Sequence, residues 1–387
     1  GDVYKRQVKE STASISLISG EDLTKRSAKN VTNSLFGYGL GLTTLQNSGS
    51  YSSQEPTLYI RGLQTLSSST PLMLVDGIER DITLVTSEEV ESVQILKDAA
   101  AVALYGYKGA NGVINIITKR GKYNTKEIKF TFDHLINWEV RRPEFADAYT
   151  YASAINEAYA NDGIRKPRYH EYEMNAFKTG AYPQYYPNVN WVDEVFKDAA
   201  ATNIANMSLR GGGSKFRYFA MFNWVTDNGF IANAKANDGY STQNKSSKAN
   251  LRTNLDIDLT PSTKMTLNLL GTLAETNKPG DSADLWSMIY SLPATAFPVK
   301  TENGLWGGNT TWDGTKNPVA QSQAAAYTKG HNRSLYADMT LKQDLSSILP
   351  GLGAGFMLAY DNWASYVENH SKTYRYGSDN VQWKSGK

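Results

Sequence analysis

The sequence predicts two unlike parts in one chain: a compact α/β unit to about residue 125, then an antiparallel β-sheet of membrane-barrel type. Three observations carry this. Short strand, turn and capping signals crowd the first 125 residues, and apolar–polar alternation dominates the remainder. The connections between the alternating segments switch between very short and very long. An up-and-down barrel has that asymmetry, because its turns on one side of the membrane are tight and its loops on the other are not.

In the first part, Ser19 followed three residues later by Asp22 forms a capping box ahead of Leu23, Val31 and Leu35, which predicts a short helix. Segments 56–62 and 71–80 read as strands. The second is broken by Asp76-Gly77, a hairpin dipeptide whose residues both tolerate positive φ. Thr86 and Glu89 make a second capping box, and the carboxylates of "SEEVES" read as a helix start favoured by the macrodipole, with no partner base indicated. "DAAAVALYG" reads as an alanine-rich helix ended by Gly106, and "GVINIITK" as a strand buried on both faces. A unit of this size can fold alone around a modest core.

In the second part, Leu251, Thr253, Leu255, Ile257 and Leu259 alternate with Arg252, Asn254, Asp256 and Asp258. After the turn "TPST", Met265, Leu267, Leu269 and Leu273 alternate with Thr266, Asn268 and Thr272. These two strands form a hairpin with one apolar and one polar face, a pattern that pins the register. Further strands are expected at 127–137, 203–210, 215–225, 334–345 and 352–364, about seven in all. Barrels closed around an internal plug have about 22 strands, so the chain is expected to be a fragment at both ends.

Composition excludes several classes. With 40 basic against 38 acidic residues there is no field to recruit a nucleic acid. The chain lacks cysteine, which removes disulfide frameworks and thiolate metal sites. No apolar run reaches the roughly 18 to 20 residues of a membrane helix. The 24 tyrosines hint at aromatic girdles or stacking surfaces. Residues 2–7, "DVYKRQ", back-translate to a transposon end used in DNA library preparation, so residues 1–7 are expected to be a sequencing scar.

"LYIRG", "PLMLVDGIERDI" and "VESVQILKDAAAVALYGYKGANGVINIITKRG", in this order and spacing, resemble the plug domain of TonB-dependent outer-membrane receptors. "LKDAAAVALYG" with "GANGVI" resembles the SusC/RagA branch in particular; siderophore receptors usually carry Arg-Gly-Pro where Lys97-Asp98-Ala99 stand. "RRPEFADAYTYASAINEAYANDG", "YPNVNWVDEV" and "KFRYFAMFNW" in the second part are similar to the same branch. The expected domains are therefore a plug over 8–125 and the first part of a barrel over 126–387.

The resemblance implies an energised importer in the Gram-negative outer membrane. A SusD-like surface lipoprotein would deliver an oligosaccharide or peptide, and TonB would move the plug through a box lying upstream of this chain. It also implies residue roles. Plug loops near 46–53, 64–70 and 78–83 would face the ligand, making Tyr51, Gln64, Ser67 and Arg80 the candidate contacts. Arg61 resembles the arginine that pairs with barrel glutamates to lock the plug, and Lys97 stands where a second arginine is usual, a point charge in place of a planar fork.

No catalytic, metal or cofactor site is expected. The histidines 134, 170, 331 and 370 are far apart in sequence, with no zinc-protease frame, and no nucleophile elbow or phosphate loop occurs. "GGGSK" reads as a hairpin turn, and "KANDGY" as a turn lacking the distal glutamate of a calcium loop. Tyr151, Ile155 and Tyr159 recur on an expected helix over 147–161, so Tyr151 and Tyr159 are candidates for partner or glycan contact, or for packing the loop onto its own barrel. Two other functions stay open: a siderophore or cobalamin receptor with the same plug and barrel, and a surface binding protein or adhesin without energised transport.

Overall fold

The computed structural model describes residues 15–26, 28–38, 41–46, 55–62, 69–97, 105–237, 239–280, 284–312 and 316–379. The expected alanine-rich helix falls largely on 98–104, and the expected scar on 1–7, both outside the described residues.

The N-terminal unit is a mixed sheet of β1 (Ile15–Ser19), β4 (Leu72–Val75), β5 (Ile78–Glu79), β6 (Val90–Leu96) and β7 (Val113–Thr118), in the order β1-β6-β7-β4-β5. Strand β7 is central, parallel to β4 and antiparallel to β6. Its Val113, Ile114 and Ile116 are wholly buried, and Asn115 between them is buried too, accepting from Gly77 N at 3.2 Å and donating to Gln94 Oε1 at 3.3 Å. Helices α1 (Gly20–Thr24) and α2 (Val31–Ser34) close one side, Ser19 and Asn30 capping them by accepting from Asp22 N and Asn33 N. Leu23, Val31 and Leu35 reach the core beside Leu58, Val93 and Ile95. Strands β2 (Leu42–Leu45) and β3 (Thr57–Ile60) form a separate ribbon.

Asp76 and Gly77 take φ of 51° and 87°, the left-handed pair that a two-residue hairpin between β4 and β5 demands. The Thr86 box departs from its expected continuation. It opens a single 3-10 turn, Ser87–Glu89, and the chain then extends into β6, where Val90, Val93 and Ile95 are β-branched and fill the core.

The second part is a seven-stranded antiparallel sheet: β8 (Lys126–Trp138), β9 (Ala199–Gly212), β10 (Phe216–Asn228), β11 (Lys245–Asp258), β12 (Thr263–Pro279), β13 (Ala326–Asp344) and β14 (Gly353–Ser371), each beside its sequence neighbour. The turns at 213–215, 259–262 and 345–352 are short, whereas 139–198, 229–244 and 280–325 are long. Leu255 and Ile257 stand on the face opposite Asp256, whose carboxylate accepts from Thr266 and Arg217 and lies 3.5 Å from Arg120 of the first unit. Phe130, Phe222, Leu251, Leu269 and Leu273 cover the other face and are exposed. No described helix is long and apolar enough to cross a membrane, a statement that leaves a β-barrel untouched.

This face assignment has a direct test. Leu269→Arg in the complete protein should cost about 2–4 kcal/mol of folding stability in vesicles, because Leu269 sits near the middle of the apolar band. Unchanged urea stability would place that face away from lipid.

The long loops carry a core of their own, which the alternation pattern does not reveal. Trp191, Val192 and Val195 on α5 (Trp191–Val195) pack with Ile289 of α6 (Leu285–Ser291), Phe297, and Val319 of α7 (Pro318–Ala324). A second cluster joins Ala148 and Ala152 of α3 (Ala148–Asn161) to Phe177 of α4 (Glu171–Thr179) and to Ala294.

Candidate functional site

The described polar chemistry concentrates in the seam where the α/β unit meets the inner face of the sheet. Antiparallel register lines up Lys129, Met221, Arg252, Tyr336 and Asp361 in one row across the strands. Two residues nearer the short turns, Arg210, Asn254, Asn268 and Asp338 form the next row. Each of these residues has its partner in the first unit, directly or through one neighbour. Alternation is the reason: residues two apart share a face, so every polar position of the pattern points at the same object.

Arg80 is the centre of the seam. Its Nη1 donates to Asp338 Oδ1 at 2.6 Å, and Nη2 and Nε donate to the Asp361 carboxylate at 2.7 and 3.1 Å. The guanidinium also lies 5.3 Å from the Tyr336 ring. Burial by itself pulls the Arg80 pKa down, but the hydrogen bonds to Asp361 and Asp338 outweigh it and the net shift is upward, so the cation is fixed. Expected among the ligand contacts, Arg80 is 8% exposed and its planar fork is taken by two wall carboxylates.

Glu89 and Arg252 form a second buried pair, their side chains 2% and 3% exposed. Glu89 Oε1 also accepts from Thr86 N at 2.6 Å, so one carboxylate caps the 3-10 turn and holds the wall. The carboxylates of "SEEVES" thus have basic partners across the seam: Lys129 reaches Glu88 at 2.8 Å and Arg210 reaches Glu91 at 3.4 Å. Arg120 spans Asp76 at 3.8 Å, Asp256 at 3.5 Å and Asn268 at 2.6 Å. Asn254 donates to Thr118 Oγ1 and to Lys119 O, both at 2.8 Å. Nearer the long loops, Lys29 pairs with Asp227 and Asn250 donates to Leu84 O at 2.9 Å.

Arg61 and Lys97 lie elsewhere on the unit. Arg61 has φ of 61° and donates its backbone N to Gly41 O at 2.9 Å. A Cβ on Gly41 would stand 3.2 Å from Lys97 Nζ, which donates to Ser16 Oγ. Gly41 is therefore met by the Arg61 backbone and by the Lys97 side chain. Tyr51, Gln64 and Ser67 lie outside the described residues.

At the opposite end, Tyr151 lines a cleft of about 480 Å³ with Phe145, Trp191, Tyr290 and Trp312. Tyr159, two helical turns on, is half-buried and is not among the cleft's lining residues. His331 and His370, distant in sequence, meet at Glu368, at 3.4 and 3.8 Å. Among the described residues no group of three or more His, Asp or Glu side chains is placed to hold a metal.

A unit of this topology, keyed to the polar face of a membrane-type sheet, matches a known family model over residues 7–113: the TonB-dependent receptor plug domain. Residues 7–113 are a TonB-dependent receptor plug domain. The family is one of receptors and not of enzymes. The chain is 24% identical to TonB-dependent receptor P3 of Formosa agariphila over 83% of its own length and 29% of that protein's. It is 27% identical to TonB-dependent receptor SusC of Bacteroides thetaiotaomicron over 60% of its own length and 22% of that protein's. The RagAB peptide importer in its closed-closed state superposes with a TM-score of 0.72 at 18% identity, over 92% of this chain and 41% of that one. The plug and seven strands thus reproduce part of a TonB-dependent receptor barrel, and the chain spans under a third of the length of the curated relatives it matches.

Proposed function

We propose that this chain is the plug and first barrel strands of a SusC/RagA-type importer in the outer membrane, with the plug over 8–125, barrel wall over 126–387 and a non-native leader over 1–7. Its cargo is an oligomeric nutrient, glycan or peptide, handed over by a SusD-like surface lipoprotein and drawn in when TonB moves the plug. The observation that carries this reading is the Arg80 clamp on Asp338 and Asp361. Polar, ion-paired seams hold a body in place yet let it leave when pulled, because water can replace each bond, whereas an apolar seam has no such exchange.

In this reading Arg61 and Lys97 lock the plug against barrel strands beyond the present chain. Tyr51, Gln64 and Ser67 face the cargo, and Tyr151 with Tyr159 serves the lipoprotein or a sugar ring. The resting plug opens from its N-terminal side. Strand β1 is an edge with one neighbour, and Leu17 is half exposed, whereas β7 is enclosed. Amide exchange on the complete receptor should show β1 opening first and β7 last; equal protection would remove the N-terminal pull.

Uptake of labelled glycan and peptide pools by cells carrying the complete gene tests the cargo. Import lost on deleting either TonB or the adjacent lipoprotein gene supports the proposal. Iron-chelate uptake independent of the lipoprotein would make it a siderophore receptor, and binding unaffected by TonB loss would make it an adhesin.

A further inference from the structure

The outer end of the sheet carries a second built cleft, on the face opposite the plug. It has a volume of about 800 Å³ and is lined by Lys197, Lys235, Lys245 and His134 over a floor that includes Ile136 and Ala199. No carboxylate is among its lining residues. The three lysines make no ion pair with any described residue. The nearest acid in sequence, Asp198, is turned to Arg142 at 3.1 Å. The rim is fixed in place: the Gln243 side chain accepts from Ile231 N at 3.0 Å and donates to Ile231 O at 2.9 Å, and Lys197 N donates to Phe230 O at 2.8 Å.

Position narrows the ligand. His134 and Ile136 belong to the same outward face as Phe130 and Phe132, the face turned to lipid in the outer-membrane reading on which this inference rests. Lys245 and Ala199 each lie thirteen residues above the far ends of their strands, Asp258 and Gly212. At about 3.3 Å per residue and a strand tilt near 40°, that is roughly 33 Å of height. The apolar band of such a barrel is about 25 Å tall. The cleft therefore stands just above the hydrocarbon of the outer leaflet, at the depth of lipid headgroups, with an apolar floor running down into the aromatic wall.

We propose that this cleft seats the phosphate-bearing headgroup of an outer-leaflet glycolipid, with Lys197, Lys235 and Lys245 on the phosphate and sugar oxygens and an acyl chain along Ile136 and Phe132. The site is anion-selective by charge and lipid-selective by depth.

The test is native mass spectrometry of the complete receptor in detergent, titrated with lipid A, with lipid A stripped of its phosphates, and with inorganic phosphate alone. The triple variant Lys197→Gln, Lys235→Gln, Lys245→Gln should hold lipid A about a hundredfold more weakly, since each cation near a membrane surface contributes about tenfold or less. The triple arginine variant should retain it. Equal retention by the glutamine variant, or equal binding of dephosphorylated lipid, overturns the proposal. Inorganic phosphate that binds equally tightly and displaces lipid A makes the cleft a small-anion site and overturns it as well. The heat-modifiable band of the folded barrel checks that each variant is intact. A receptor that never fractionates with the outer membrane defeats the transport reading instead.

Discussion

Replacing Arg80 by alanine in the complete receptor is expected to free the plug from its wall. The change leaves Asp338, with a side chain only 3% exposed, as a buried carboxylate without its cation, and removes all three hydrogen bonds to Asp361. Breaking one partner of a buried pair costs about 3–5 kcal/mol, which corresponds to a loss of amide protection of roughly two to three and a half decades where opening is local to the seam. Passive leak of small solutes through liposome-embedded receptor should rise in parallel. Arg80→Lys should recover only part, because a point charge cannot serve two carboxylates as a fork does. Arg61→Ala is a separate measurement of the other proposed lock. Unchanged protection and leak in Arg80→Ala would show that the clamp does not hold the plug.

Glu89→Gln should produce an effect of similar size by the reverse route. The amide can still accept from Thr86 N, so the turn keeps its cap, but Arg252 then stands as a buried cation without a carboxylate, and its Nη2 already lacks a partner among the described residues. The expected loss is again about 3–5 kcal/mol. The double variant Glu89→Gln, Arg252→Met should be less unstable than Glu89→Gln alone, because no buried charge is then left over. A double-mutant cycle with no coupling would mean that the two groups act independently.

The sequence is a good guide to this fold where local physics decides. Alternation places all seven strands, and the Asp76-Gly77 and Ser19 signals place a turn and a cap, because each depends on residues within a few positions. The seam is a different case. Arg80 meets Asp338 and Asp361, 258 and 281 residues away, and nothing local marks those aspartates as partners. One signal was available: an arginine, asparagines and aspartates on the inner face of β11, β12 and β13 are more than a watery lumen needs. Read together with the acidic "SEEVES", they form two complementary surfaces. Glu89 was hidden for another reason, since a capping-box glutamate already has a sufficient local explanation. The loop cores escaped because α5 and α6 are too short to show a period.

Gly121 fixes how far any of this can move. A Cβ there would stand 2.2 Å from Tyr218 N and 2.6 Å from Gly211 O, so the backbone between plug and wall lies flush against β9 and β10. Only seven residues, 119–125, separate the end of β7 from the start of β8. Fully stretched they reach roughly 25 Å, less than the height of the membrane's hydrocarbon. The plug is therefore tethered, and on the import reading proposed above a pull on its N-terminal side would become rotation about Gly121, like a door on its hinge. On that reading, the widest gap would open on the side of the plug farthest from β8, and the hinge side would stay closed.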